Sequence, residues 1–179
     1  MIGKNEMLAS PMLRSGLGAH AALMLVVQLA VGLAASPSEA QARKPTTAEI
    51  ATIRDCAAKH QEDLDAVETR CLFNLVAQPC IDKLPNGGAN AAVADCYRLE
   101  AAIWDQLLNE NYKSLLDGLD DNQTAKARAM QRAWLAYRDT TCQFYDDKIQ
   151  GTMAIPMDAA CITRETARRA VLLKFFGGL

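Results

Sequence analysis

Residues 91–119, AAVADCYRLEAAIWDQLLNENYKSLLDGL, decide the fold class. Apolar side chains recur at Val93, Cys96, Ile103, Trp104, Leu107, Leu108, Leu115 and Leu119, and the charges fall mostly between them. That spacing is one face of a 3.6-residue helix, so the segment predicts a single long helix with a buried stripe. Asp120-Asp121-Asn122 supplies the polar residues that end it and cap the next one.

The same period extends in both directions. Downstream, a helix from Thr124 to about Tyr145 carries Ala127, Met130, Trp134, Tyr137 and Phe144 as its stripe. Gly151–Pro156 reads as a loop, Asp158 as the N-cap of a last helix over Ala159–Phe175, and Gly177-Gly178 as its C-terminal stop. Upstream, KLPNGGAN (residues 83–90) carries turn chemistry. Ahead of it, Thr46-Thr47-Ala48-Glu49 is a capping box opening a helix through Ile50, Ile53 and Cys56. A further stripe, Leu64, Val67, Cys71 and Leu75, stops at Gln78-Pro79, because the residue before a proline is pushed out of the helical region. Nothing alternates as a strand would. The expectation is an all-α fold: a small, disulfide-stapled helical bundle of four to five helices, in one domain over residues 43–179.

Residues 1–42 read as a cleaved signal peptide. Lys4 and Arg14 precede the apolar run Ala21–Ala35, Pro37 breaks it, and Ala40-Gln41-Ala42 offers small residues for cleavage. The run is shorter than the roughly 20 apolar residues of a membrane span, and no lipobox cysteine follows it. The expected location is periplasmic or secreted, without stable membrane anchoring.

Six cysteines, Cys56, Cys71, Cys80, Cys96, Cys142 and Cys161, all follow this segment. An even count in an exported chain implies disulfides, and the absence of any C-x2-C pair points away from zinc or a redox pair. Cys142 and Cys161 lie at facing ends of two helices joined by the Gly151 loop, so they are expected to pair. Cys71–Cys80 closes a helix end through Pro79, which leaves Cys56–Cys96.

From Arg43 onward there are 17 basic and 19 acidic residues and a single histidine, His60. This balance predicts no nucleic-acid partner and no attraction to an anionic membrane. His60 sits in a charged helix end, Lys59-His60-Gln61-Glu62, as a solvated turn rather than a catalytic base. Glu100, Asp105 and Glu110 are spaced as solvated helix charges rather than as a glycosidase couple. Neither an enzyme nor a cofactor is expected.

Three stretches in order, CYRLEAAIWDQLLNENYKSLL (96–116), QRAWLAYRDTTC (131–142) and CITRETARRAVL (161–172), resemble the LprI-like lysozyme-inhibitor N-terminal domain. The marks are Leu108-Asn109-x-x-Tyr112, then Gln131-x-x-Trp134-x-x-x-Arg138-Asp139-x-x-Cys142, then Cys161 and Thr166-x-Arg168. The resemblance implies an exported helical domain of bacterial envelopes, one class of which inhibits lysozyme. This chain departs from lipoprotein members in lacking the lipobox.

Gln131, Trp134 and Arg138 share one helix face, either as a recognition patch or, as is usual for such motifs, as packing. On the packing reading, Arg138 pairs with Glu100, Asp105 or Glu110, Asp139 bonds a neighbouring helix end, and Asn109 makes a tertiary hydrogen bond. The expected function is a protein-binding module, a muramidase inhibitor. The alternative is a non-inhibitory structural or stress-related envelope protein with another periplasmic partner. For a basic lysozyme the candidate docking residues are the acidic cluster Asp117, Asp120 and Asp121, with the loop Lys83–Asn90 as the protruding element.

Overall fold

The computed structural model describes residues 43–179; the expected signal peptide lies outside the described residues. Among these residues there are six α-helices and no strand: α1 (Thr47–Lys59), α2 (Leu64–Arg70), α3 (Ala77–Ile81), α4 (Asn90–Asp117), α5 (Asp121–Ile149) and α6 (Ala154–Phe176). A 3-10 turn over Pro85–Gly87 joins α3 to α4.

Three long helices form the frame. α4 and α6 run parallel and pack most extensively, tied by Asn111 donating to the Ala170 carbonyl and Thr163 donating to that of Tyr97. α5 runs back between them in sequence and lies antiparallel on α6, with Gln131 opposite Arg169 and Cys142 bonded to Cys161. The short helices cover the other side. Ile53, Val67, Cys71, Leu72 and Val76 close over Leu99, Ile103, Trp104 and Leu107 of α4 and Ala167, Ala170, Val171 and Leu173 of α6. Burial of each large apolar side chain contributes about 1.5–3 kcal/mol.

The helix starts follow local chemistry. Thr46 Oγ1 accepts from the Glu49 backbone and the Glu49 carboxylate accepts from that of Thr46, the expected capping box. Asp120 and Gln123 repeat the device at α5.

Elsewhere the sequence-based expectation needs correction. The bundle has six helices rather than four or five because the stripe through Leu64 and Leu75 is broken. α2 ends at Arg70, and Phe73 takes a left-handed conformation (φ 65°) that turns the chain. Pro79 does not end a helix; it lies in the first turn of α3, where its missing N–H would have no helical partner anyway. For the same reason Pro156 is tolerated near the start of α6, which begins at Ala154, so Asp158 lies inside that helix and is not its cap.

The turn at Phe73 also re-pairs the cysteines. Cys71 faces back to α1 and bonds Cys56, and Cys80 on α3 bonds Cys96 on α4; neither Cys71–Cys80 nor Cys56–Cys96 exists. The third bridge joins Cys142 to Cys161. Each closes a loop of 15 to 19 residues, worth about 3 kcal/mol of restricted unfolded-chain entropy.

Candidate functional site

Glu100 occupies the centre of the molecule and is fully buried. One carboxylate oxygen accepts from the Phe73 backbone (2.7 Å) and from the Trp104 indole (3.1 Å), the other from the Ala77 backbone (2.9 Å). It thereby satisfies N–H groups at the two ends of the irregular turn between α2 and α3. Burial pushes its carboxyl above the usual range while these donors pull the other way. Of the other carboxylates, Glu110 is held by Arg54 (2.6 Å), which lowers its pKa, and Asp105 accepts from Asn109. The three that sequence placed one to three turns apart are thus committed separately, and no open pair faces a common space.

The motif residues converge where α5 meets α6. Trp134 is half-buried between two guanidinium groups, Arg138 at 5.1 Å and Arg169 at 5.5 Å from its ring centre. Gln131, buried, accepts from Arg169 Nε (2.9 Å). Arg138 does not reach Glu100, Asp105 or Glu110; those sit on α4, against which α5 scarcely packs, and Arg138 pairs instead with its neighbour Asp139 (2.7 Å). Asp139 is therefore not bonded to a neighbouring helix end. Asn109 makes no tertiary bond among the described residues; it donates to Asp105 one turn back, because its face of α4 is exposed. Leu108 is core, Tyr112 packs against the core's edge, and Arg168 ties α6 to α2 through both carboxylate oxygens of Glu68.

Arg169 escaped the sequence reading. Successive helix residues lie about 100° apart, so Arg168 and Arg169 point to different sides of α6. Arg169 is the buried one, and among the described residues it has no carboxylate partner and its Nη2 has no hydrogen bond. Burial lowers its pKa, and the Trp134 face supplies the compensating attraction. The signal available beforehand was the Gln131–Trp134 face itself, which needs a donor opposite.

α5 is the least covered of the long helices: 29 residues with only Ala127, Gln131 and Cys142 buried. Of its expected stripe, Tyr137 and Phe144 are more than half exposed, because the face that meets α6 runs through Gln131, Arg138 and Cys142 instead. Tyr137 and Phe144, seven residues apart, share one outward face. At the same end of α5, Asp158 is pushed above its ordinary pKa by burial, and further by Asp146 and Asp139, with Arg98 opposing. The predicted acidic cluster lies at the other end. Asp117 closes α4, Asp121 opens α5, and all three aspartates are exposed, although Asp120 is engaged as a helix cap. The loop Lys83–Asn90 is mostly exposed too.

These features define a class: an all-helical, disulfide-stapled domain whose motif residues lock α5 onto α6 and leave α5 an open outer face. The family model described as "Lysozyme inhibitor LprI" matches residues 80–173, more than half of the chain and all of α4 and α5. The chain belongs to that family. No curated protein and no solved structure is significantly similar to it. The family description is of an inhibitor rather than an enzyme. Three disulfides fit an oxidising compartment, and no helix among the described residues is long and apolar enough to cross a membrane.

Proposed function

We propose that this protein is an exported, periplasmic or secreted inhibitor that binds a lysozyme-type muramidase through the outer face of α5. Supporting this reading, beside the family match, is the exposure of Tyr137 and Phe144 on a helix that buries only three residues. Aromatic side chains carry large contact area at low entropic cost and anchor many protein interfaces. The acidic residues at both ends, Asp146, Asp147 and Asp158 on one side and Asp117, Asp120 and Asp121 on the other, suit a basic partner.

The test is a cell-wall lysis assay with lysozyme and the purified protein. Dose-dependent slowing of lysis is expected, weakened by the double substitution Tyr137→Ser/Phe144→Ser. Unchanged lysis at a large molar excess overturns the proposal.

A further inference from the structure

The loop that joins α3 to α4 carries Pro85-Asn86-Gly87-Gly88, and Pro85, Asn86 and Gly87 are all exposed. Asn86 sits in the left-handed region (φ 53°), with Gly87 (φ 80°) and Gly88 (φ 76°) also at positive φ. Asparagine tolerates that conformation better than most residues with a side chain. The two glycines differ in their surroundings. A Cβ at Gly88 would lie 2.5 Å from Leu84 Cδ1, whereas one at Gly87 would meet nothing within 4 Å, so the space around the Gly87 backbone is open.

Asn86 also stands apart from the other five asparagines among the described residues. The side chains of Asn74, Asn90, Asn109 and Asn111 each donate a hydrogen bond. Asn122 lies in the first turn of α5, where the next backbone N–H is taken by the Asp120 carboxylate (2.8 Å). Among the described residues, only the Asn86 amide is exposed, unbonded and followed by a glycine.

We infer that Asn86 is a self-modifying site, which converts to aspartate and isoaspartate. The Gly87 backbone nitrogen attacks Asn86 Cγ and a C–N bond forms. The Cγ–Nδ2 bond breaks, and the amide group leaves with the Gly87 proton as ammonia. Glycine favours this step because no side chain flanks the attacking nitrogen. Water, the only co-reactant, then opens the five-membered imide. Opening at Cγ leaves an aspartate in a normal main chain; opening at the main-chain carbonyl leaves isoaspartate, with the chain routed through Cβ and Cγ.

Both products add a negative charge, and isoaspartate lengthens the backbone by one carbon. The turn bond from Gly88 to the Pro85 carbonyl (2.9 Å) is the contact it disturbs. The Cys80–Cys96 bridge ties α3 to α4 across this loop, so the change stays inside the ring that the bridge closes. Exposed loop tips tolerate such changes best.

The purified protein is held at mildly alkaline pH and sampled over weeks, and its peptides are mapped by mass spectrometry. Isoaspartate is read by methyl transfer from S-adenosylmethionine with an isoaspartyl methyltransferase. Conversion at Asn86 is expected to run at least about tenfold ahead of the other five asparagines, with both products present and thermal unfolding unchanged. Asn86→Gln, whose side chain is one carbon too long for the five-membered ring, is expected to keep the loop peptide uncharged at that position. The reduced, unfolded chain is the reference, and a native rate within about tenfold of it is expected because the turn leaves Asn86 open. A native Asn86 that stays amidated while the unfolded one converts overturns the inference. So does conversion led by another of these asparagines, or loop acidification that persists in Asn86→Gln. No muramidase enters the experiment, so its outcome is independent of the lysis assay.

Discussion

Buried polar groups are where single residues matter most in this protein. Glu100 accepts three hydrogen bonds from donors that have no other partner among the described residues, and an amide in its place would turn an NH2 toward at least one of them. Glu100→Gln is therefore expected to lower stability by about 2–3 kcal/mol, the cost of a buried unsatisfied donor beside a lost charged bond. Thermal unfolding followed by circular dichroism measures it; a loss below about 0.5 kcal/mol would show that the Phe73 turn holds without the carboxylate. Glu49 behaves in the opposite sense with pH. Its pKa is lowered from 4.5 to about 2, first by the Arg43 hydrogen bond and then, against burial, by the Thr46 backbone and hydroxyl. A depressed folded value means the stabilisation is present above pH 4.5 and disappears as pH falls towards 2. The residue is near the surface, so the loss is expected to be only about 1 kcal/mol after solvent screening. Acid titration of the α1 amide signals should show it, and Glu49→Gln should remove that step.

At the level of elements, α5 is the one whose attachment is thinnest. Three buried residues and the Trp134 clamp hold 29 residues, so the Cys142–Cys161 bridge carries an unusual share of its docking. Replacing both cysteines by alanine is expected to cost about 3 kcal/mol and to speed amide exchange along α5 before α4 and α6. Uniform exchange across all three helices would mean that α5 is held by packing after all. α5 also shows what sequence patterning reads and what it does not. α4 was legible because its stripe meets partners on both sides, and period and burial coincide there. On α5 the apolar stripe and the buried line differ: Tyr137 and Phe144 face out, while Gln131 and Arg138 face in, since a buried arginine on α6 selects polar partners. The pairing of Cys71 with Cys56 was not legible because it depends on one left-handed residue, Phe73, stabilised by a carboxylate 27 residues further on. Peptide mapping without reduction checks it directly, since a Cys71–Cys80 peptide is incompatible with the turn described. Of the candidate site, sequence reached Gln131, Trp134 and Arg138 but not their buried counterpart, Arg169.

For the molecule as a whole, the net charge of −2 is too small to steer a partner, so any attraction must come from how charge is distributed. The acidic groups lie at the two ends of α5, whereas its outward aromatic face is uncharged at Tyr137 and Phe144. This division predicts different kinetic roles. Exposed carboxylates act at a distance and are screened within about 10 Å at 0.1 M salt, so raising ionic strength should slow association with a basic muramidase. The aromatic contacts act only after docking, so Tyr137→Ser/Phe144→Ser should raise the dissociation rate and leave the salt dependence of association unchanged. Charge removal at Asp117, Asp120 and Asp121 should do the reverse, with Asp120 also weakening the α5 cap. Surface-plasmon kinetics at several salt concentrations separates the two. If the aromatic variant changed only association, or the aspartate variants only dissociation, the face assigned to docking and the face assigned to steering would have to be exchanged.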